Sequence, residues 1–296
     1  MGKLNPKIDI VFKKIFGTEK NKNILKSLIN SVLPEDEKIV ELTINNPYNE
    51  TDFIGDKMSV VDIKASDEKG RWYDIEIQVK EQKYYGRRAI FYLSEIYSNQ
   101  LGESDSYGKL KKTIIISLLD FNYFLNDKRY FRRCCYKDFE TGELYPQLDY
   151  ADLYFVELRK FDNEYTNIKT SLDRWITFLN RAAEIDKDNI PSEMLEPEII
   201  QAINTIETMS LSTKEREYYE ATKKVMRDRE SVLETDLENA KIAGLKQGIE
   251  KGMEKGIEKG MEKAIEKVAK QMKMKNKPFD EIIEFTGLTK EQIEKL

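Results

Sequence analysis

Residues 58–80 read Met58-Ser59-Val60-Val61-Asp62-Ile63-Lys64-Ala65-Ser66-Asp67-Glu68-Lys69-Gly70-Arg71-Trp72-Tyr73-Asp74-Ile75-Glu76-Ile77-Gln78-Val79-Lys80. Two strand-like runs, 58–65 and 71–80, flank the turn-rich stretch 66–70, which predicts a hairpin. In the second run Tyr73, Ile75, Ile77 and Val79 alternate with Asp74, Glu76, Gln78 and Lys80, a strict period of two. Same-parity residues of a strand share a face, so these polar residues line one side. With the turn centred near residues 68–69, Asp62 comes opposite or diagonal to Asp74 and Glu76. Cross-strand Cβ separations of about 5–8 Å suit two carboxylates holding one cation. Alternation by itself favours a plainer reading, the wet face of an antiparallel sheet. The neighbouring segments count against it. A helical pattern over 84–101 and the β-branched run 113–119 predict a sheet covered by helices, where an acid-lined face is expensive without a metal.

Composition narrows the chemistry. Among 296 residues there is no histidine. This excludes Ser-His-Asp and Cys-His hydrolases, imidazole bases and His-ligated zinc or iron. Carboxylates, amides, lysines, tyrosines or a hard metal ion remain. The two cysteines, Cys134 and Cys135, are adjacent. They form neither a disulfide framework nor a tetrahedral zinc site, and read as two buried or half-buried strand residues, with a reactive vicinal pair the alternative. No apolar run approaches the roughly 18–20 residues of a membrane span. The stretch Ile8 to Phe16 is interrupted by Asp9, Lys13 and Lys14, so no leader is expected and the expected location is the cytoplasm. The net charge of −5 does not advertise nucleic-acid binding. Locally, Lys128, Arg129, Arg132, Arg133 and Lys137 occur without an acid among them. Arg129, Arg132 and Arg133 are therefore candidate phosphate contacts, although charge alone fits a solvated face equally well.

Residues 5–33 predict two helices. Ile8, Val11, Phe12, Ile15 and Phe16 form one apolar face, with Pro6 near the first turn and Gly17 as the stop. A second helix runs from Asn23 to Leu33, ahead of Pro34. Short strands are predicted at 39–44 and 152–161, and helices at 171–184, 196–209 and 214–237. The expected organisation is a core at 1–165, a helical region at 166–240, a repeat helix at 241–267 and a small helical tail at 268–296.

Val61-Asp62-Ile63-Lys64 followed by Tyr73-Asp74-Ile75-Glu76-Ile77-Gln78 resembles the PD-(D/E)xK nuclease superfamily. More closely, the chain is similar to the bacterial Rpn branch, also described as PDDEXK-type transposases. The stretch Asp9-Ile10-Val11-Phe12-Lys13-Lys14-Ile15-Phe16-Gly17 shares in that resemblance, as do Tyr97-Ser98-Asn99-Gln100-Leu101 and Ile116-Ser117-Leu118-Leu119-Asp120-Phe121. The resemblance implies an α/β, restriction-endonuclease-like mixed central sheet flanked by helices, followed by a mainly helical C-terminal region. It implies Mg²⁺-dependent cleavage of DNA, with Mn²⁺ able to substitute, and Asp62, Glu76 and the Ile77 carbonyl as metal ligands. The superfamily lysine is replaced here by Gln78, which can act neither as a cation nor as a proton carrier, so Lys80 is the candidate source of positive charge. Asp9 matches an assisting acid on the first helix, and is also what a helix N-terminus favours by itself. Tyr97 and Gln100 are auxiliary candidates on the helix that follows, with core and surface roles the plainer alternative.

From residue 244 a tetrapeptide repeats: Gly-Leu-Lys-Gln, Gly-Ile-Glu-Lys, Gly-Met-Glu-Lys, Gly-Ile-Glu-Lys, Gly-Met-Glu-Lys, then Ala-Ile-Glu-Lys. Its like-charged i, i+4 neighbours and five glycines make a poor isolated helix, by roughly 4–5 kcal/mol for the glycines alone. Its regularly spaced Leu, Ile and Met predict self-association, so a homo-oligomer joined through the C-terminal helices is expected. A solvated linker is the alternative. The last 29 residues predict two short helices around Thr286-Gly287, the second capped by Thr289 and Gln292. They read as a small helix-turn-helix on DNA or as a partner-binding cap. Two functions follow: an endonuclease acting in recombination, transposition-like processes or defence against mobile DNA, or a catalytically weak or inactive DNA-binding and oligomerising protein on a nuclease fold.

Overall fold

The computed structural model describes residues 3–48 and 62–296. The first part of the predicted hairpin, 58–61, lies outside the described residues. The chain divides into two units, residues 1–226 and 227–296.

The first unit is built on a six-stranded mixed sheet in the order β1-β2-β3-β4-β6-β5. Its strands are β1 (Leu42–Ile44), β2 (Ile63–Asp67), β3 (Trp72–Gln78), β4 (Thr113–Leu119), β5 (Phe131–Cys135) and β6 (Ala151–Glu157). β1, β2 and β3 pair antiparallel, β3, β4 and β6 pair parallel, and β5 closes the edge antiparallel to β6. All seven residues of β4 are buried, as a β-branched central strand covered on both faces requires.

The odd-numbered residues of β3, Tyr73, Ile75 and Ile77, enter the main core with Ile114, Ile116, Tyr154 and Val156. That core is shared by α1 (Asp9–Phe16), α2 (Lys22–Val32), α4 (Ser171–Arg181) and α5 (Pro197–Thr208). Pro6 lies in the turn before α1, where Ile8 N donates to Asn5 O at 3.2 Å, and the helix itself starts at Asp9. The opposite face is covered by α3 (Tyr85–Ser98), which sets Tyr85, Ala89, Leu93 and Ile96 against Ile115, Leu119 and Phe155. Gly86 N donates to the Tyr123 hydroxyl at 2.9 Å, and a Cβ at Gly86 would stand 2.7 Å from that oxygen.

The helix α6 (Thr213–Met274) begins in the first unit and runs on through the second. Its start is anchored by Glu215, which accepts from Lys14 Nζ at 2.7 Å, from the Tyr48 hydroxyl, and from Ser212 N at 2.6 Å. The repeat, poor in intrinsic helix propensity, is helical throughout. At its end a small core of Ala269, Ile282 and Ile293 joins α6 to α7 (Phe279–Thr286) and α8 (Lys290–Glu294). Gly287 at φ 68° ends α7 in the left-handed conformation, and Thr289 and Gln292 form the expected capping box of α8. Among the described residues no helix is long and apolar enough to cross a membrane.

Helix α4 opens with a capping box between Thr170 and Asp173. Asp173 is 3% exposed. It accepts from Tyr130 Oη at 2.7 Å, Thr170 N at 2.8 Å and Lys169 N at 2.9 Å. Burial pushes its carboxyl up, but these hydrogen bonds outweigh burial and hold it below the usual aspartate range. A depressed folded-state value stabilises the fold above the unfolded value of about 3.9, and that contribution fades as pH falls through the folded value. Replacing Asp173 by Asn is therefore expected to lower Tm at neutral pH, with the gap to wild type closing in acid. Thr170→Ala is expected to cost about 1 kcal/mol by denaturant titration. A gap independent of pH would refute the charged cap.

Candidate metal centre

β2 and β3 pair in the register Ile63↔Ile75, Lys64↔Asp74 and Ala65↔Tyr73. Continued by one residue, it sets Asp62 across from Glu76. The even face of β3 thus carries Asp74, Glu76 and Gln78, with Asp62 and Lys64 beside them and Ser117 of β4 next to Glu76. This is the face that α3 covers. Tyr85, buried in the first turn of α3, donates its hydroxyl to Glu76 Oε2 at 3.0 Å. Arg88, one turn later, pairs with Glu76 Oε1 and reaches Gln82 Oε1 at 3.1 Å and Gln78 Oε1 at 3.5 Å. Gln78 returns its amide to the Lys80 carbonyl at 2.9 Å.

The acids raise one another. Burial, then Asp62 and Glu76, push Asp74 up to about 8 against the opposing pull of Lys64 and Arg88. Burial, then Asp62, push Glu76 up to about 6, with Arg88 and Tyr85 opposing. Burial also raises Asp62, offset in part by Arg88, Lys64 and Lys13. Asp74 Oδ1 is buried without a hydrogen-bond partner. A buried oxygen left without a donor is costly, and a cluster of hard oxygens is what a small divalent cation binds. In chemical type, three carboxylates on one face, the donors are those such an ion takes. Among the described residues, however, no group of three or more acids or cysteines is arranged to hold a metal. Both Glu76 oxygens are engaged, Oε1 by Arg88 and Oε2 by Tyr85.

The other candidates are dispersed. The Ile77 side chain turns into the apolar core, so only its backbone carbonyl can belong to the acidic face. Lys80 is exposed just beyond β3. Asp9 accepts from the Tyr218 hydroxyl and from Ile10 N at 2.8 Å, and burial raises its carboxyl. Gln100 binds Lys111 O and Thr113 Oγ1, both at 3.0 Å. It thereby pins the end of α3 to the start of β4, four residues before Ser117. Tyr97 lies near Tyr150, and burial raises its hydroxyl. Cys134 is exposed on the edge strand and Cys135 half-buried.

The basic segment is largely engaged within the molecule. Arg132 is buried and pairs with Glu157, Arg133 pairs with Asp152 and Glu37 at 2.8 Å, and Arg129 pairs with Asp127 at 2.5 Å.

Tyr85 and Arg88 are the residues that sequence reasoning missed as site members. They lie 9 and 12 positions beyond Glu76, on another element, and their i, i+3 spacing is the only local sign that they share a helix side. Arg88→Ala is expected to lower the stability of the metal-free protein by about 1–3 kcal/mol, because Glu76 loses its charged partner. Mn²⁺ should then raise the variant's Tm by more than it raises that of wild type. An equal or smaller rise would show that Arg88 and a cation do not compete for Glu76.

A family model described as PD-(D/E)XK nuclease family transposase matches residues 6–236 of the chain. No curated protein and no solved structure matches it.

Proposed function

Because the chain belongs to the PD-(D/E)XK nuclease family of transposases, we propose that it is a Mg²⁺-dependent DNA endonuclease acting in recombination, transposition-like processes or defence against mobile DNA. Nucleases of this kind generally use divalent metals, and Mn²⁺ should substitute here. The observation that carries the reading is the placement of Asp62, Asp74 and Glu76 on one covered face of the sheet, with Asp74 Oδ1 left without a donor.

Asp62 and Glu76 would hold the ion, with the Ile77 carbonyl as a further ligand. When bound, the ion lowers the pKa of a water and offsets charge on the phosphoryl group. The protein's own residues do the rest. Asp74 sets a further carboxyl oxygen beside the ligands, and it would ionise and add its charge once a cation is bound. Gln78, fixed between Arg88 and the Lys80 carbonyl, is positioned to orient a water but not to carry its proton. Lys64, Lys80 and Arg88 supply the positive charge that the superfamily lysine supplies elsewhere. Tyr85 donates to Glu76 and keeps that carboxylate in one orientation.

Purified wild-type protein is expected to degrade plasmid DNA with Mg²⁺ and not with EDTA, and Asp62→Ala to lose at least 100-fold of that activity (order of magnitude, ~3 kcal/mol of barrier). Equal background rates for the two proteins would sink the endonuclease reading. They would favour the second one, a DNA-binding assembly protein in which Arg88 permanently closes Glu76.

The tail is proposed to join copies of the chain. Leu245, Ile249, Met253, Ile257 and Met261 are all exposed on α6, and a Cβ added at Gly248, Gly252 or Gly256 meets nothing within 4 Å. In a lone helix, changing these three glycines to alanine should stabilise it by about 1 kcal/mol each. In an association that depends on close backbone approach the same change is disruptive. The triple Gly→Ala variant is therefore expected to gain helicity by circular dichroism and lose mass by light scattering. Unchanged mass would remove the glycine contact.

A further inference from the structure

The outer surface of α3 is not explained by the packing of the fold. Tyr84, the N-cap residue, is 57% exposed and Phe91 is 63% exposed. With Arg87 they recur at i, i+3 and i+7, a single stripe along the helix. Arg88 lies between this stripe and the buried seam of Tyr85, Ala89 and Leu93, so the stripe borders the side of α3 that reaches Glu76.

The stripe is positively charged as well as aromatic. Lys80, Lys83 and Arg87 are exposed and make no ion pair among the described residues. The Arg87 guanidinium lies 5.0 Å and the Lys83 ammonium 5.6 Å from the centre of the Tyr84 ring. Glu81 and Glu95 flank the stripe at its two ends. Aromatic rings interleaved with cations beside a phosphodiester-cleaving face match one ligand chemistry well. Cations follow a phosphate backbone whatever its sequence or strandedness. Exposed ring faces and a guanidinium plane take unpaired bases, which have free π-faces, and find none in a duplex.

Resting on the nuclease reading above, we infer that Tyr84, Arg87 and Phe91, with Lys80 and Lys83, bind unpaired nucleotides of the DNA next to the cleaved phosphate. The substrate class this selects is single-stranded or frayed DNA in preference to intact duplex.

The test uses the full-length protein in EDTA, so that binding is measured without cleavage. Fluorescence anisotropy compares a labelled oligothymidylate with a duplex of equal length. The single strand is expected to bind more tightly. Tyr84→Ala and Phe91→Ala should each weaken it by about fivefold or more, a stacking-sized loss, while changing duplex binding by less than about twofold. Arg87→Gln should weaken both and flatten their salt dependence. Tyr84→Trp, which keeps a ring in place, should bind normally and show quenched fluorescence with oligothymidylate. The inference is overturned if the two alanine variants keep full affinity for the single strand, or if they weaken both ligands equally. It is also overturned if they change the protein's mass by light scattering and leave DNA binding intact, since the stripe is then a protein contact. A wild type that fails to cleave yet binds single strands through Tyr84 refutes the endonuclease reading and leaves this surface standing.

Discussion

The strand β3 must be covered on both faces while carrying two different chemistries. Tyr73, Ile75 and Ile77 fill an apolar core, and Asp74 and Glu76 lie buried under α3 on the other side. Burying carboxylates is tolerable only where something compensates them. Tyr85 and Arg88 do so for Glu76, and because both are rooted in α3 they also fix where that helix sits on the sheet. Much of the proposed chemistry follows from this arrangement: the acid opposite Glu76, the amide of Gln78 held in place, and the outer stripe of α3 beside them.

Other buried acids in the first unit show what a satisfied carboxylate looks like. Glu157 is fully buried, pairs with Arg132 and Lys160, and accepts from Tyr123 N at 2.7 Å and Phe124 N at 3.0 Å. Glu215 has Lys14, Tyr48 and Ser212. Asp74, by contrast, has a buried oxygen without a donor and is pushed up to about 8. Asp152 also has one unpartnered oxygen, but its other oxygen pairs with Lys112 and Arg133, whereas Asp74 lies beside Asp62 and Glu76. The proposed cation site rests on this unpartnered Asp74 oxygen.

The C-terminal repeat presents a separate constraint. At about 100° per residue, each four-residue step advances the Leu, Ile and Met side chains by about 40° beyond a full turn. Over the five steps from Leu245 to Ile265 the stripe turns about 200° around the helix. One straight partner cannot cover it. A repeat longer than 3.6 residues favours a right-handed crossing, as small-residue helix pairs adopt. The charged residues between the apolar ones follow the same drift, and the association proposed for the tail has to accommodate it.

Local sequence determined the elements and their parity. Period two in residues 73–80, the β-branched run 113–119 and the caps at Gly17, Gly287 and Thr289 each act through neighbours within a few residues. The strands, the ends of the earlier helices and the shared face of Asp62, Asp74 and Glu76 were legible for that reason. The helix expected over 214–237, however, runs on without a break to Met274, because no proline or left-handed glycine interrupts it. Three matters lay beyond local sequence. Which face of the sheet α3 covers, and hence that Tyr85 and Arg88 meet Glu76, depends on packing between segments separated by a turn. The internal pairing of Arg132 and Arg133 depends on Glu157, Asp152 and Glu37, which come from other strands and loops and are invisible in a count of local charge. That Gln100 pins α3 to β4 rather than facing the acids depends on where the helix ends over the sheet. Hydrogen-bond periodicity and hydrophobic pattern are local and are read directly. The partner of a buried charge is chosen by three-dimensional proximity, and only the tertiary structure supplies that.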